Sequence, residues 1–280
     1  MRNSDSPVTQ VDLQIEKQVA TVTLSGVKGI QTLSSQTRQN LHVALDQLEK
    51  TPALRIVQFQ GTGRTFIAGA DIHEFQDLTE STAGKLVTDG QQLMTRIAEL
   101  PCITIAAING ACAGGGWELA LACDFRIAIE DAKIGLPETS LGLLPCWGGT
   151  VRMTQQFGSA LANQLILTGE LIKAKSAFKK GLLHDVCTAD EFEEQLSNLK
   201  TTLFSRSPFA QKMARKVIVK TAAREHQASL GFSDERNAFL ECVHSGQVAI
   251  GVEAFLNKKT PIWDQAAIQI QNRIPRSPVR

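Results

Sequence analysis

Most of the signatures that would assign this chain at a glance are missing from it. Its six cysteines (Cys102, Cys112, Cys123, Cys146, Cys187 and Cys242) stand singly, with no Cys-x-x-Cys pair and no Cys/His spacing suited to zinc. That argues against a disulfide framework or a structural metal site, and it reads the thiols as small buried residues in a reducing compartment. The formal net charge is only +1, so no overall field draws the chain to nucleic acid or to a membrane surface. No apolar run reaches the roughly 18 residues that span a bilayer. The segment Met1 to Val8 is polar, carries an acid and leads into no apolar block of signal-peptide length. The expected location is cytoplasmic.

The common catalytic and nucleotide-binding motifs are also absent. No Gly-Lys-Ser or Gly-Lys-Thr follows a glycine cluster, which disfavours a phosphate-binding P-loop. The glycines Gly110, Gly114, Gly115 and Gly116 do not give G-x-G-x-x-G, and no acid is placed to hold a ribose, so a dinucleotide site is disfavoured. With no G-x-S-x-G elbow and five scattered histidines, Ser-His-Asp hydrolysis is unsupported. Chemistry without a metal or a separate cofactor is the expectation.

What remains is a chain of 280 residues, 43% hydrophobic and 20% charged, which suits one large domain or one domain with an appendage. Alternating apolar residues from Val11 to Leu24 around Glu16-Lys17-Gln18 predict a hairpin. Ser34 or Ser35 caps a predicted helix through Leu41, Ala44, Leu45 and Leu48 that Thr51-Pro52 stops. Strands are predicted at Arg55 to Gln60, Ile103 to Ile108, Phe125 to Ile129 and Lys133 to Leu136, with helices at Lys85 to Leu100 and Gly116 to Cys123. This alternation is that of a layered α/β protein. Past Gly148 the pattern turns helical, with only Asp185 to Cys187 reading as extended. The predicted helices there are Thr150 to Phe157, Ala160 to Thr168, Ala174 to Lys180, Ala189 to Leu203, one from near Pro208, Glu235 to Cys242 and Val248 to Leu256.

The richest stretch is Asn109-Gly110-Ala111-Cys112-Ala113-Gly114-Gly115-Gly116-Trp117-Glu118, at a predicted strand-to-helix turn, followed by a second acid in Leu136-Pro137-Glu138. Glycines let a ligand approach the main chain closely, and a helix start offers unpaired N–H donors and positive dipole. Such a turn suits an oxygen that becomes negative during reaction, with two carboxylates nearby for proton traffic. Leu119, Leu136, Leu141, Leu143 and Trp147 are the expected apolar lining. Taken alone, each feature has a blander reading: a tight turn, an acid favouring a helix dipole, a loop acid, tryptophans filling core volume. Asp71 and Asp124 read as caps or ion-pair partners.

Three segments taken together resemble the enoyl-CoA hydratase/isomerase (crotonase) family. They are Gly69-Ala70-Asp71-Ile72 after Gly61-x-Gly63-x-x-Phe66; Ile105 to Gly110 running into Gly114 to Ala120; and Ile134-Gly135-Leu136-Pro137-Glu138 through Gly142, Pro145 and Gly148-Gly149-Thr150. The resemblance runs in order from about Val11 to Leu256. It implies a spiral of β-β-α turns over residues 1–200, carrying the active site, and a helical trimerisation region over residues 201–280, assembling as a homotrimer or a hexamer of two trimers.

The resemblance further implies an acyl-CoA thioester as substrate, with coenzyme A present only as part of it. Backbone N–H groups of Ala70 and Gly115 would form the oxyanion hole, and Glu118 and Glu138 would be the catalytic acids of 2-enoyl-CoA hydration. Lys28, Arg64, Ala68 and Lys258 are the implied CoA contacts, and Asp71, Ile72, Gly114 and Trp147 the other implied substrate-binding residues. The alternatives are Δ3-Δ2 enoyl-CoA isomerisation, which needs one acid, a hydratase or dehydratase of polyketide-type metabolism, and a binding protein without catalysis. The chain departs from the family pattern at Val27 and Gln31 in the first loop, at Cys146-Trp147, which replace smaller residues, and at Gln247 to Gly251, which lacks acids.

Overall fold

The computed structural model describes residues 8–76, 78–225, 236–237 and 239–261. The parts of the implied C-terminal region at residues 226–235 and 262–280, and Glu235 at the start of one predicted helix, lie outside the described residues.

Three consecutive β-β-α turns build the core. In each, a longer strand enters one sheet, a short strand enters a second, and a helix returns over both. The predicted hairpin precedes them as β1 (Gln10–Glu16) and β2 (Val19–Ser25), antiparallel in register from Gln10 with Ser25 to Glu16 with Val19. Helix α1 (Ser35–Glu49) follows, its cap supplied by Ser34, whose hydroxyl accepts the N–H of Thr37. The first full turn is β3 (Ile56–Gly61), β4 (Thr65–Ile67) and α2 (Glu80–Glu99). The second is β5 (Ile103–Ile108), β6 (Ala111–Ala113) and α3 (Gly115–Ala122). The third is β7 (Phe125–Ile129), β8 (Lys133–Gly135) and α4 (Gly149–Ala162).

The long strands form a sheet of order β1-β2-β3-β5-β7-β10, parallel from β2 onward, where β10 is Asp185–Cys187. The short strands form a sheet of order β4-β6-β8-β9, closed by β9 (Ile172–Lys173) antiparallel to β8. β5 is buried along almost its whole length, as expected of a parallel strand covered on both faces. Between the sheets and helices lies a large core that includes Phe59, Phe66, Leu93, Met94 and Trp117, and a smaller one joins Ile56, Ile105 and Ile127 to Phe192 and Leu196 of the chain past β10.

Several expectations are corrected. The helix expected from Lys85 starts five residues earlier, because Thr79 and Thr82 form a reciprocal capping box. Past Gly148 there are two extended pieces rather than one, because β9 joins the short-strand sheet while β10 joins the long-strand sheet. Helix α5 (Ala174–Lys179) matches its prediction, and α6 (Phe192–Phe204) starts later than Ala189. α4 runs to Ala162 with a break at Gly158 (φ +80°), then continues as a π turn over Asn163–Leu167. Helix α7 (Pro208–Glu225) and α8 (Gln247–Leu256) complete the described chain, with residues 239–244 helical between them. No helix among the described residues is long and apolar enough to cross a membrane.

Candidate active site

Strand pairing brings the two glycine-marked segments together. β4 and β6 run parallel, Thr65 beside Ala111 and Ile67 beside Cys112, so their carboxyl ends deliver Gly69-Ala70 and Gly114-Gly115 to the same place. A β-carbon on Gly114 would lie 3.8 Å from Gly69 Cα and 3.1 Å from Glu138 Oε1. Gly114 also sits at φ +52°, a conformation that side-chain-bearing residues rarely adopt. Asn109 ties the turn to the preceding loop. Its Oδ1 accepts the N–H of Gly61 at 3.1 Å, and its Nδ2 donates to the carbonyls of Gly63 and Thr65 at 3.3 and 3.4 Å.

Helix α3 starts at this junction with no side-chain cap. Gly114 donates to the Gly135 carbonyl at 3.0 Å, and Glu118 donates its N–H back to Gly114 at 2.9 Å. Among the described residues, no acceptor takes the N–H of Ala70 or that of Gly115. Ala70 pairs with Leu33 as an isolated parallel bridge, in which Leu33 donates to the Gly69 carbonyl at 2.9 Å and the Ala70 N–H is left to other partners.

Both acids border one cavity of about 270 Å³, which Ala70, Gly114 and Gly115 also line. Glu118 is 2% exposed, and its Oε1 accepts the backbone N–H groups of Trp147 and Gly149, each at 2.8 Å. Two backbone donors on one oxygen fix the side chain in place. Glu138 is half-buried at the start of a 3-10 turn, Glu138–Leu141, that Pro137 opens and left-handed Gly142 closes. Thr139 Oγ1 in that turn donates to the Ile166 carbonyl at 2.9 Å, within the π turn. The turn's other side rests on α8, where β-carbons on Gly142 and Gly251 would meet the backbones of Gln247 and Leu141, 2.8 and 2.5 Å away. The unusual Gln247 to Gly251 segment is thus a support for the Glu138 turn.

The apolar wall differs in part from the expected one. Leu141, Leu143 and Trp147 line the cavity, joined by Phe239 and Phe255, whereas Leu119 and Leu136 are buried in the core away from it. The difference is one of facing. Leu119 lies on α3 one position past Glu118, about 100° around the helix, and Leu136 precedes the Glu138 turn. Trp117 is likewise core, its indole N–H against Met153 Sδ at 3.4 Å. Trp147 is both core and cavity wall. Its indole N–H donates to the Leu86 carbonyl at 3.2 Å, its ring presses on Gly90, and a β-carbon on Gly115 would stand 2.5 Å from its Cζ3.

The remaining expected contacts divide. Ala68 and Ile72 line the cavity. Asp71 turns to its own backbone, accepting the N–H of His73 at 3.0 Å as a cap, and Asp124 pairs with Arg215 at 2.7 Å. Lys28 and Arg64 are exposed on two loops whose backbones touch at Gly29 and Gly63, with Arg64 N–H donating to the Gly29 carbonyl at 3.1 Å. Lys258 is exposed just past the end of α8, three residues beyond the cavity-lining Phe255. Cys112, behind the glycine turn, is fully buried, and burial pushes its thiol well up from the ordinary value.

Comparison with known proteins gives the chain its family and fold. The family model described as enoyl-CoA hydratase/isomerase matches residues 14–266. A probable enoyl-CoA hydratase of Bacillus subtilis (strain 168) is 38% identical over 90% of this chain and 97% of its own length. The short-chain-enoyl-CoA hydratase of Clostridium acetobutylicum is 32% identical over 90% of this chain and 96% of its own. The crystal structure of an enoyl-CoA hydratase from Mycobacterium avium subsp. paratuberculosis K-10 superposes with a TM-score of 0.81 at 27% identity, covering 91% of this chain and 99% of that one. With its three β-β-α turns and both acids on one cavity, the chain belongs to the enoyl-CoA hydratase/isomerase family and has the crotonase fold.

Proposed function

We propose that the chain adds water across the double bond of a 2-enoyl-CoA to give a 3-hydroxyacyl-CoA, acting as a hydro-lyase. The observation that carries this reading is the pair of carboxylates, Glu118 and Glu138, on one largely apolar cavity beside two N–H groups with no acceptor among the described residues. A thioester oxygen between Ala70 and Gly115 would receive both donors. Removing one such preorganised donor costs about 3 to 4 kcal/mol of transition-state stabilisation.

Glu118 takes the proton of a water as its oxygen bonds to the β-carbon, and the π electrons move onto the thioester oxygen. Glu138 then delivers a proton to the α-carbon, the carbonyl re-forms, and exchange with solvent resets the acids. The proposed steps use the two acids, a water and the two backbone donors, with coenzyme A taking part only as a portion of the substrate. Isomerisation between 3- and 2-enoyl forms needs only one acid, so a second buried carboxylate held by two backbone donors favours water chemistry. Lys28, Arg64 and Lys258 are proposed to meet the CoA phosphates, at solvent-exposed positions where a polyanion can reach them.

Assembly as a trimer, or as a hexamer of two trimers, belongs to the same reading. Helix α7 turns Phe209, Met213 and Val217, spaced four apart, to solvent with 72%, 37% and 63% of their surface exposed. Six unpaired cysteines suit a reducing, cytoplasmic setting. The test is incubation with crotonyl-CoA in oxygen-18 water. A 3-hydroxybutyryl-CoA heavier by one labelled water supports the reading, and recovery of unchanged crotonyl-CoA refutes it.

A further inference from the structure

Arg38 lies on α1, outside every motif of the family resemblance, and is only 3% exposed. Its Nε meets Asp89 Oδ2 at 2.5 Å and its Nη1 meets Glu74 Oε2 at 3.2 Å, so two carboxylates neutralise the buried charge. Two further contacts reach toward the cavity. Nη1 also donates to the Leu33 carbonyl at 2.8 Å, and the guanidinium carbon stands 5.0 Å over the Trp147 ring.

Each of these two contacts supports a different half of the oxyanion site. Leu33 donates to Gly69 at 2.9 Å and bridges Ala70, so fixing Leu33 fixes the strand end that presents the Ala70 N–H. Trp147 packs its ring against Gly115 and holds Glu118 by its own N–H, so fixing the indole fixes the start of α3 and one acid. A planar fork that bonds along its edge and stacks on its face does both jobs at once, which a lysine cannot. Fold stability alone is a weak reason for such a residue, because a buried ion network is often replaceable by apolar side chains at little cost.

We infer that Arg38 is a positioning residue that braces both oxyanion donors in register, through Leu33 on one side and Trp147 on the other. The inference rests on the proposed reading of Ala70 and Gly115 as those donors. The test uses the full chain with Arg38→Lys, which keeps the charge that Glu74 and Asp89 need, and Arg38→Met. Two readouts are taken: kcat and KM with crotonyl-CoA, and the ultraviolet band of bound acetoacetyl-CoA as its enolate, an anion that needs only the two donors.

Misplacing a donor by about 1 Å costs on the order of 100-fold, so kcat should fall about 10- to 100-fold while KM stays within about 3-fold. The enolate band should shrink in both variants, with circular dichroism unchanged for Arg38→Lys. A purely structural arginine would lower the melting temperature and leave the enolate band intact. Wild-type kcat and band in the folded lysine variant overturn the inference. If the wild type forms the enolate but leaves crotonyl-CoA unchanged, hydration is refuted, while loss of the band in the variants still supports Arg38. No enolate in the wild type removes the donors and overturns the inference as well.

Discussion

Glu118 and Trp147 hold each other in place: the carboxylate Oε1 accepts the Trp147 N–H at 2.8 Å, while the indole of the same tryptophan backs onto Gly115. The acid and one proposed oxyanion donor therefore share a wall. Gly115→Ala puts a β-carbon 2.5 Å from Trp147 Cζ3, an overpacking worth about 1 to 3 kcal/mol of stability. Trp147→Leu in the same chain should relieve it. The unfolding free-energy changes of the two single variants and the double should be non-additive by about 0.5 kcal/mol or more, and strict additivity would show that the contact does not matter.

Trp147 should also set the acyl length the cavity accepts. The ring is held by the Leu86 carbonyl, Gly90, Gly115 and Arg38, so a longer chain cannot swing it aside. Trp147→Leu opens that wall. One methylene in an apolar pocket is worth about 10- to 200-fold in kcat/KM. The ratio of eight-carbon to four-carbon 2-enoyl-CoA turnover should rise at least about 10-fold in the variant, as measured across a panel of chain lengths. An unchanged ratio would place the limit at another wall of the cavity, such as Phe239 or Phe255.

Hydration and isomerisation should separate on the two acids. If Glu118 handles the water and Glu138 the carbon-bound proton, Glu118→Gln loses hydration of a 2-enoyl-CoA by about 100-fold or more. Any residual conversion of 3-enoyl-CoA to 2-enoyl-CoA should fall far less in that variant. Glu138→Gln should depress both. Equal losses of both reactions in Glu118→Gln would contradict this division of labour.

The cysteines should be quiet in the native protein. Burial pushes Cys102 and Cys187 up to about 11 and raises Cys112, Cys123 and Cys242 as well. At pH 8 a thiol with a pKa near 11 is only about one part in a thousand thiolate, the reactive form. Titration with a disulfide reagent should find six thiols in guanidinium, with these five reacting slowly under native conditions. Rapid native reaction at Cys112 or Cys123 would contradict their burial at the two ends of the β6–α3 segment.

Sequence patterns located the long elements and the acids but not the small ones that aim them. β5 and β7 match their expected bounds because each is a mostly apolar run, interrupted only by Thr104 and Arg126, between clear breaks. β4, β6 and β9 have three, three and two residues, too few to show any period, yet the pairing of β4 with β6 is what joins Ala70 to Gly115. The glycine turn with Glu118 and Glu138 was legible because glycine and acid requirements are local. Leu119 and Leu136 were assigned to the cavity because facing cannot be read from proximity in sequence. Arg38 carried no visible signal, since an arginine on an amphipathic helix normally reads as a solvated face. The nearest clue was the bulky Trp147 where a smaller residue is usual.

The decisive experiment follows the loss of the conjugated enoyl-thioester absorbance when crotonyl-CoA meets the wild type, Glu118→Gln and Glu138→Gln at equal active-site concentration. The geometry predicts rapid loss with the wild type and turnover lower by about 10²- to 10⁴-fold in each variant, with circular dichroism unchanged in both. Stable absorbance with the wild type, or wild-type turnover in either variant, would show that these two carboxylates do not hydrate an enoyl thioester.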